Sequence, residues 1–163
     1  MKTLLTISCA LLLASGLVSA QRKSTPLTGV WRITQVQTKG EKAATVSGSD
    51  VQPSLYIFTG EHYSITQVVG SSARPNLPAD PNNGSAAELL AVYGPFAANA
   101  GTYEIQGATL TLNMSVAKNP INMASGPGNT MSFKIDGKTL TLTSLTTRNG
   151  PAPGTVITLT RVE

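Results

Sequence analysis

The stretch Thr109-Leu110-Thr111-Leu112-Asn113-Met114-Ser115-Val116 decides the fold class, because an apolar side chain occupies every second position. Successive side chains of an extended strand point to opposite faces, so this alternation produces one apolar face and one polar face. The same pattern recurs from Thr130 to Ile135 and from Thr139 to Leu142. Each of these segments is therefore predicted to be a strand with one buried and one solvated face.

Working outward from this stretch, the alternation predicts eight strands and one helix after residue 28. The strands are expected at about 29–37, 54–59, 62–69, 101–105, 108–116, 129–135, 138–145 and 155–162. Ser85-Ala86-Ala87-Glu88 is a capping box, in which the serine and glutamate side chains each accept a backbone N–H of the first turn. It predicts a short helix that continues to Tyr93 and ends at Gly94-Pro95. This helix lies in the connection between strands three and four.

The lengths of the connections indicate how the strands are arranged. Tight turns are expected at Gly60-Glu61, Gln106-Gly107 and Asp136-Gly137, and long connections near 38–53, 70–100, 117–128 and 146–154. In an antiparallel meander alternate connections lie at opposite ends, so one end carries the tight turns and the other the long loops. Strands with one apolar face and few helices to cover it are best satisfied by closing the sheet on itself. The predicted fold is all-β, an eight-stranded antiparallel up-and-down barrel, with a two-sheet sandwich as the main alternative.

Residues 1–20 have the features of a secretory signal peptide: Lys2, an apolar run from Leu4 to Val18, and small residues before Gln21. Residues 21–163 then form a single barrel domain, expected to be secreted and extracellular, or periplasmic in a bacterium. The only cysteine, Cys9, lies in the leader, so the domain has no disulfide. No later stretch approaches the roughly 20 apolar residues of a membrane span.

The charges argue against nucleic acid as a partner. Without Lys2, the chain has 11 basic and 8 acidic residues, and they are scattered rather than clustered. Proteins that bind nucleic acid concentrate lysine and arginine on one face. The charge balance therefore indicates solubility rather than a phosphate-binding surface.

Trp31 and Arg161 are predicted to plug the barrel at the end with the tight turns. Trp31 is the only tryptophan and begins the first strand, and Arg161 stands near the end of the last strand. Closure of a meander makes the first and last strands antiparallel neighbours. A guanidinium group over the indole face would form a cation–π contact and could bind nearby carbonyl oxygens.

Four blocks of the chain carry a family resemblance. In order, they are Leu27-Thr28-Gly29-Val30-Trp31-Arg32, Tyr56-Ile57-Phe58-Thr59-Gly60-Glu61-His62-Tyr63-Ser64, Ala100-Gly101-Thr102-Tyr103-Glu104-Ile105 and Leu159-Thr160-Arg161-Val162. Over residues 27 to 162 the chain thereby resembles the lipocalin-like domain family of bacteria and fungi. The resemblance implies a calycin-type β-barrel with a ligand cavity, and it implies no particular chemistry. The chain differs from secreted lipocalins in lacking their disulfide cysteines and in placing its helix after strand three.

The alternation also predicts which side chains face the interior, where an apolar lining with a few polar groups is typical of a ligand pocket. The expected partner is a small apolar or amphipathic molecule that enters between the long loops, although a barrel of this size can also be filled by its own side chains. The sequence does not determine the oligomeric state. The predicted ligand-binding residues are Ile33, Tyr63, Ile65, Gln67, Tyr103, Met114, Met131 and Phe133.

No catalytic or metal-binding pattern is found, and no cofactor is predicted. His62 is the only histidine and is expected in a turn at the end opposite the long loops, where it supports neither a zinc site nor a serine triad. A cofactor-free isomerase or cyclase acting on an apolar molecule remains an alternative, as does an interaction module that uses long loops such as residues 71–80. Asn83 and Asn113 each begin an N-x-S/T triplet, which matters only in a host that glycosylates secreted proteins.

Overall fold

The structure, a computed structural model, describes residues 24–163 except 42, 124, 125 and 127. The predicted signal peptide at residues 1–20 lies outside the described residues. Ten strands and one α-helix, α1 (Ala86–Tyr93), are present in the described part. The strands are β1 (Gly29–Gln37), β2 (Thr45–Ser47), β3 (Ser54–Phe58), β4 (His62–Val68), β5 (Phe96–Gln106), β6 (Thr109–Ala117), β7 (Asn129–Asp136), β8 (Thr139–Thr147), β9 (Gly150–Pro151) and β10 (Val156–Arg161).

Eight of these strands form a closed antiparallel barrel. Hydrogen bonding runs in the order β10-β1-β3-β4-β5-β6-β7-β8, and β8 pairs with β10 to complete the circle. At the seam between the chain's two ends, Trp31 stands opposite Arg161 and Ile33 opposite Leu159. The prediction of a closed eight-stranded antiparallel barrel with one helix is confirmed.

The two short strands and the early start of β5 were not predicted. β2 pairs with β1 and β9 with β8, inside two of the long connections. β5 begins at Phe96, five residues before the predicted strand, because its pairing with β4 extends to Val68. Residues 96–100 are a phenylalanine, three alanines and one asparagine, so they lack an alternating pattern and become a strand only through the neighbouring ladder.

A β-bulge changes which side chains of β1 face the interior. The pairing with β10 shifts between Ile33 and Gln35, and Val36 then stands opposite Ile157. A bulge inserts one extra residue, which moves the following side chains to the other face. Strict alternation from Ile33 would turn Gln35 inward, whereas the bulge turns Val36 inward, where it packs on the core.

The core fills the end of the barrel that carries the tight turns, which we call the closed end. The side chains without measurable exposure are concentrated there. Toward the opposite end, which we call the open end, several core-facing side chains remain partly exposed to solvent. The fully buried ones at the closed end are Leu27, Trp31, Leu110, Leu140 and Leu159, and the partly buried ones include Val36, Met114, Met131, Phe133 and Ile157.

The helix α1 follows β4 and has the capping box expected from the sequence. The Ser85 side chain accepts a hydrogen bond from the Glu88 backbone N–H at 3.3 Å, and the Ser85 backbone N–H donates to the Glu88 carboxylate at 2.9 Å. The Ser85 hydroxyl also donates to the Glu88 carboxylate at 2.7 Å, and this bond, together with the one from the Ser85 backbone N–H, lowers the pKa of Glu88 because both favour its ionised form. Within the described residues, no helix has the length and apolar character needed to cross a membrane.

Candidate ligand-binding site

Trp31 and Arg161 meet at the closed end. The Arg161 guanidinium carbon lies 4.0 Å from the centroid of the indole ring, and the indole Nε1 donates to the Leu27 carbonyl at 2.8 Å. Arg161 also donates to the carbonyl oxygens of Thr28 at 2.5 Å and Pro26 at 3.2 Å. The guanidinium therefore lies on the ring and ties the segment before β1 to the last strand.

Tyr103, predicted as a polar contact for a ligand, has its hydroxyl at the same closed end. This hydroxyl donates to the Thr59 carbonyl at 2.5 Å and lies 2.5 Å from the Thr25 hydroxyl. Its ring meets Phe58 edge to face at 5.4 Å between centroids. The polar group of Tyr103 is thus occupied by contacts that hold the β3–β4 turn and the start of the domain together.

A cavity of about 340 Å³ lies at the open end, where β1 and β4 end and β10 begins. Most of its lining is valine and isoleucine, with two glutamines and two threonines. The volume falls within the range of small-molecule pockets, about 300–1,000 Å³. The lining residues are Ile33, Val36, Thr38, Val46, Val51, Gln52, Gln67, Val68, Val69, Gly70, Thr155 and Ile157.

The cavity lies where the barrel wall parts between β1 and β3. The ladder between β1 and β3 ends at the pair Trp31 and Tyr56. The backbone N–H of Ile33, beyond that pair, donates instead to the Ser54 hydroxyl at 2.9 Å. Beyond this point β1 pairs with β2, and residues 48–53 cross the gap. A surface cleft of about 570 Å³ lies at the same stretch and shares Ile33, Val51 and Gln52 with the cavity. One irregular segment thus separates the cavity from this cleft.

Gln67 is a polar side chain of the cavity whose orientation is determined by a buried neighbour, Tyr56. The Tyr56 hydroxyl, on a side chain with 2% exposure, donates to the Gln67 Oε1 at 2.7 Å. Burial raises the pKa of Tyr56, so the phenol stays protonated. A buried phenol that only accepted would leave its own hydrogen unpaired, which is why Gln67 presents its oxygen to Tyr56. The Nε2 group of Gln67 is then the donor it offers to a molecule in the cavity.

The predicted lining residues are distributed over both halves of the barrel. Ile33 and Gln67 line the cavity. Tyr63 and Ile65 are buried on β4, deeper than Gln67, and Tyr103 lies at the closed end. Met114, Met131 and Phe133, on β6 and β7, pack partly buried against the core and are not among the residues that line this cavity.

Several lining residues were missed by the sequence analysis, for two reasons. Val46 and Val51 lie in the first long connection, where no strand pattern indicated burial. Two apolar valines in an otherwise polar loop are a signal that could have suggested contact with the barrel. Val36 and Ile157 face each other only because of the bulge in β1, which alternation does not reveal.

Two buried polar atoms in the interior have no hydrogen-bond partner in the described structure: the Tyr63 hydroxyl and the Asn99 Oδ1. Tyr63 is 3% exposed, and its burial raises the pKa of the phenol to about 12. Asn99 was not predicted as a site residue because it was assigned to a loop, whereas it belongs to β5. Buried polar atoms without a partner are rare in folded proteins, which sets these two apart.

A second groove, of about 420 Å³, adjoins the cavity beneath the segment before α1, and shares Gln52 and Val68 with it. The Arg74 guanidinium lies 5.2 Å from the centroid of the Phe96 ring and donates to the Val92 carbonyl at 3.4 Å. Lys118 Nζ donates to the carbonyl oxygens of Tyr93, Gly94 and Phe96 at the end of α1. These two cations hold α1 against the open end.

The described residues contain no group of three or more histidine, cysteine, aspartate or glutamate side chains placed to bind a metal ion. His62 is exposed at the beginning of β4. The lining of the cavity offers apolar contact from its valines and isoleucines, together with neutral hydrogen-bonding groups from its glutamines and threonines.

Comparison with protein-family models finds no matching family, and comparison with curated proteins finds no match. Among solved structures, the chain is similar to the crystal structure of an uncharacterized protein from Bacteroides eggerthii DSM 20697. The two are 14% identical, with a TM-score of 0.44, and the similarity covers 83% of this chain and 98% of the other.

Proposed function

We propose that this protein binds a small, mainly apolar molecule in the cavity at the open end of its barrel. The observation that carries the proposal is an apolar cavity of about 340 Å³ whose lining includes the Gln67 amide, with its oxygen held by the Tyr56 hydroxyl. Apolar walls provide affinity by removing the ligand's surface from water, at about 0.8 kcal/mol per buried CH₂. The Gln67 Nε2 group adds a directional contact for a carbonyl, ether or hydroxyl oxygen.

The proposal includes the lipocalin-like assignment and export from the cell. The closed eight-stranded antiparallel barrel supports a calycin-type fold, and the sequence blocks quoted above support the lipocalin-like family with its up-and-down strand order. The leader pattern in residues 1–20 supports secretion. The partner is a small apolar or amphipathic molecule, and the protein acts as its carrier or scavenger outside the cytoplasm.

A cavity-filling variant with a matched control tests this proposal. Val51→Trp places a large side chain in the segment that covers the cavity, and Leu55→Trp places the same side chain on the outer wall, where the native residue is 40% exposed. Binding of an apolar fluorescent probe is titrated with each purified variant. Val51→Trp should weaken binding at least tenfold while Leu55→Trp leaves it unchanged. Equal binding by both variants would contradict the cavity as the site.

The natural ligand can be sought directly. Native mass spectrometry of the protein purified from the medium of its own host would detect a copurifying small molecule, which organic extraction then identifies. The protein with Val51→Trp, prepared in the same way, should carry less of it. A molecule retained equally by both proteins would lie somewhere other than this cavity.

A further inference from the structure

The unpartnered atoms of Tyr63 and Asn99 face the same interior surface. In the β4–β5 ladder, Ile65 stands opposite Asn99 and Tyr63 opposite Gly101. Tyr63 and Ile65 are buried on the inner face of β4, so their cross-strand partners share that face. Tyr63 and Asn99 are therefore diagonal neighbours. The backbones of such a pair are about 7–8 Å apart, a distance that a long aromatic side chain can span.

The same ladder connects these two residues to the cavity. Gln67 stands opposite Ala97, so Asn99 is also the diagonal neighbour of Gln67. Gln67, Asn99 and Tyr63 thus form a line across the inner face of β4 and β5, and we call it the polar row. Gln67, at one end of the row, lines the cavity. Tyr63, at the other end, lies two positions beyond Ile65 on β4, toward the closed end. Steps of two strand residues are about 7 Å long, a distance that a short ligand can span.

The chemistry of the polar row restricts what can bind there. Asn99 Oδ1 is an acceptor and needs a donor from its partner. The Tyr63 phenol is protonated at neutral pH, since burial raises its pKa, and it can both donate and accept. A single hydroxyl group can donate to Asn99 Oδ1 and accept from Tyr63, whereas an ether or a ketone cannot donate.

A carboxylate fits the polar row poorly. It has no hydrogen to give to Asn99, and no charged side chain is buried among the described residues to balance its charge. Burying an unpaired carboxylate in an apolar interior is strongly unfavourable. The interior therefore discriminates against fatty acids and in favour of neutral molecules with a hydroxyl group.

We propose that the polar row binds the hydroxyl group of an otherwise apolar alcohol, whose apolar part occupies the open-end cavity. This inference rests on the proposed binding function and names its ligand class. The alternative occupant of the two unpartnered atoms is an ordered water molecule, which buried polar sites commonly hold. Water would satisfy the same atoms without any preference among ligands, so ligand preference separates the two occupants.

The test compares two probes with the same number of non-hydrogen atoms, 1-decanol and its isomer methyl nonyl ether, by isothermal titration calorimetry. The wild-type protein should bind the alcohol about tenfold more tightly, the effect expected for about one net hydrogen bond. Asn99→Leu should reduce this ratio toward one, because it removes the acceptor that only the alcohol can satisfy. Tyr63→Phe should weaken the binding of both probes, because the oxygen of either probe can accept from the phenol. Decanoate at pH 7 should bind more weakly than either neutral probe.

Tyr103→Phe is the matched control, because it removes a phenol hydroxyl that is fully engaged at the closed end. It should lower stability and leave the alcohol-to-ether ratio unchanged. Tyr63→Phe removes a hydroxyl without a partner in the described structure, so it should fold normally even where Asn99→Leu does not.

The outcomes distinguish the two proposals. If both probes bind with equal affinity, if Asn99→Leu keeps the full alcohol preference, or if Tyr63→Phe leaves the affinity for both probes unchanged, the polar row is not the hydroxyl site and this inference is wrong, while the cavity still binds apolar molecules. If neither probe binds the wild-type protein, the proposed function fails as well.

Discussion

At the scale of single residues, Trp31 shows how one side chain closes a barrel. It is the largest fully buried side chain, and it has a hydrogen bond from its indole nitrogen and a guanidinium group on its face. Tyr63 shows the opposite situation, a buried phenol whose hydroxyl has no partner among the described residues. The first residue stabilises the fold, and the second is the residue at which we propose that a ligand hydroxyl binds.

Trp31→Ala should lower the free energy of unfolding by about 3–5 kcal/mol, the usual cost of truncating a buried aromatic side chain. Urea denaturation provides the measurement. Trp31→Phe retains an aromatic face for Arg161 but loses the hydrogen bond to Leu27, so its loss should be smaller. Ligand affinity should change little in a folded Trp31→Phe protein, because Trp31 is not among the cavity-lining residues. A loss below 1 kcal/mol for Trp31→Ala, on the order of a surface change, would show that the plug is unimportant.

Tyr63 should make the protein less stable in alkali. Burial raises the pKa of the folded phenol from 10.0 to about 12, so between these values the unfolded chain has lost the proton that the folded chain retains. Its effect on stability is therefore constant below pH 10, decreases as pH rises, and levels off above pH 12. In Tyr63→Phe the decline across this window should be less steep, by up to about 1.4 kcal/mol per pH unit. Chemical denaturation at a series of pH values measures the free energy of unfolding of both proteins. If it declines in parallel in the two, Tyr63 makes no such contribution.

At the scale of elements, irregularities in the ladders determine how the strands curve and which side chains they turn inward, as the bulges in β1 and in the β5–β6 ladder show. The bulge in β1 brings Val36 to the cavity, and the one in the β5–β6 ladder lies between Ala100 and Gly101. At Gly101 the strands approach so closely that an added Cβ would lie 2.0 Å from the Asn113 carbonyl oxygen. Only glycine fits there without a movement of the backbone.

Gly101→Ala should therefore cost about 3 kcal/mol or more, since the collision is with backbone atoms rather than a flexible side chain. Gly107→Ala is the comparison: this turn residue has a φ of +60° and open space around an added Cβ, so only the left-handed conformation is penalised, by about 1–2 kcal/mol. Thermal and urea unfolding of the two variants measure the difference. Equal losses would mean that the β5–β6 bulge relaxes freely.

At the scale of the whole molecule, closure makes the two ends of the chain part of one cooperative structure. β10 is paired on both sides, with β1 and with β8, although β1 and β10 are more than 100 residues apart in sequence. Leu159 stands in the middle of this seam, with no exposed surface, opposite Ile33 on one side and Leu140 on the other. A change at the seam should therefore also destabilise the strands on the opposite side of the barrel, β4 and β5.

Leu159→Ala should lower the free energy of unfolding by about 2–5 kcal/mol. Hydrogen exchange should show the same loss of protection for amides in β4 and β5, across the barrel, as for those in β1 and β10, because the barrel opens as one unit. Val162→Ala, at an exposed position near the end of the chain, serves as the control and should have little effect. A loss of protection confined to the seam would instead indicate that β1 and β10 separate locally.

Much of the fold could be predicted because its signals are local. Alternating apolar residues placed seven of the eight barrel strands to within about two residues, and Ser85 with Glu88 placed the beginning of α1. The candidate site was harder, because its components depend on contacts between distant segments. Asn99 was missed because nothing near it in sequence indicates that the chain pairs with β4 from residue 96 onward.

The sequence by itself determined the strands, the helix and a sheet whose apolar face had to be covered, since these follow from side-chain period and capping within a few residues. The tertiary structure alone decided where the interior stays open. The bulge in β1, the parting of β1 from β3 at Ile33, and the hydrogen bond between Tyr56 and Gln67 together create the cavity and orient its amide. Each of these depends on the register between strands, and register is set by the pairing of whole strands rather than by any one segment.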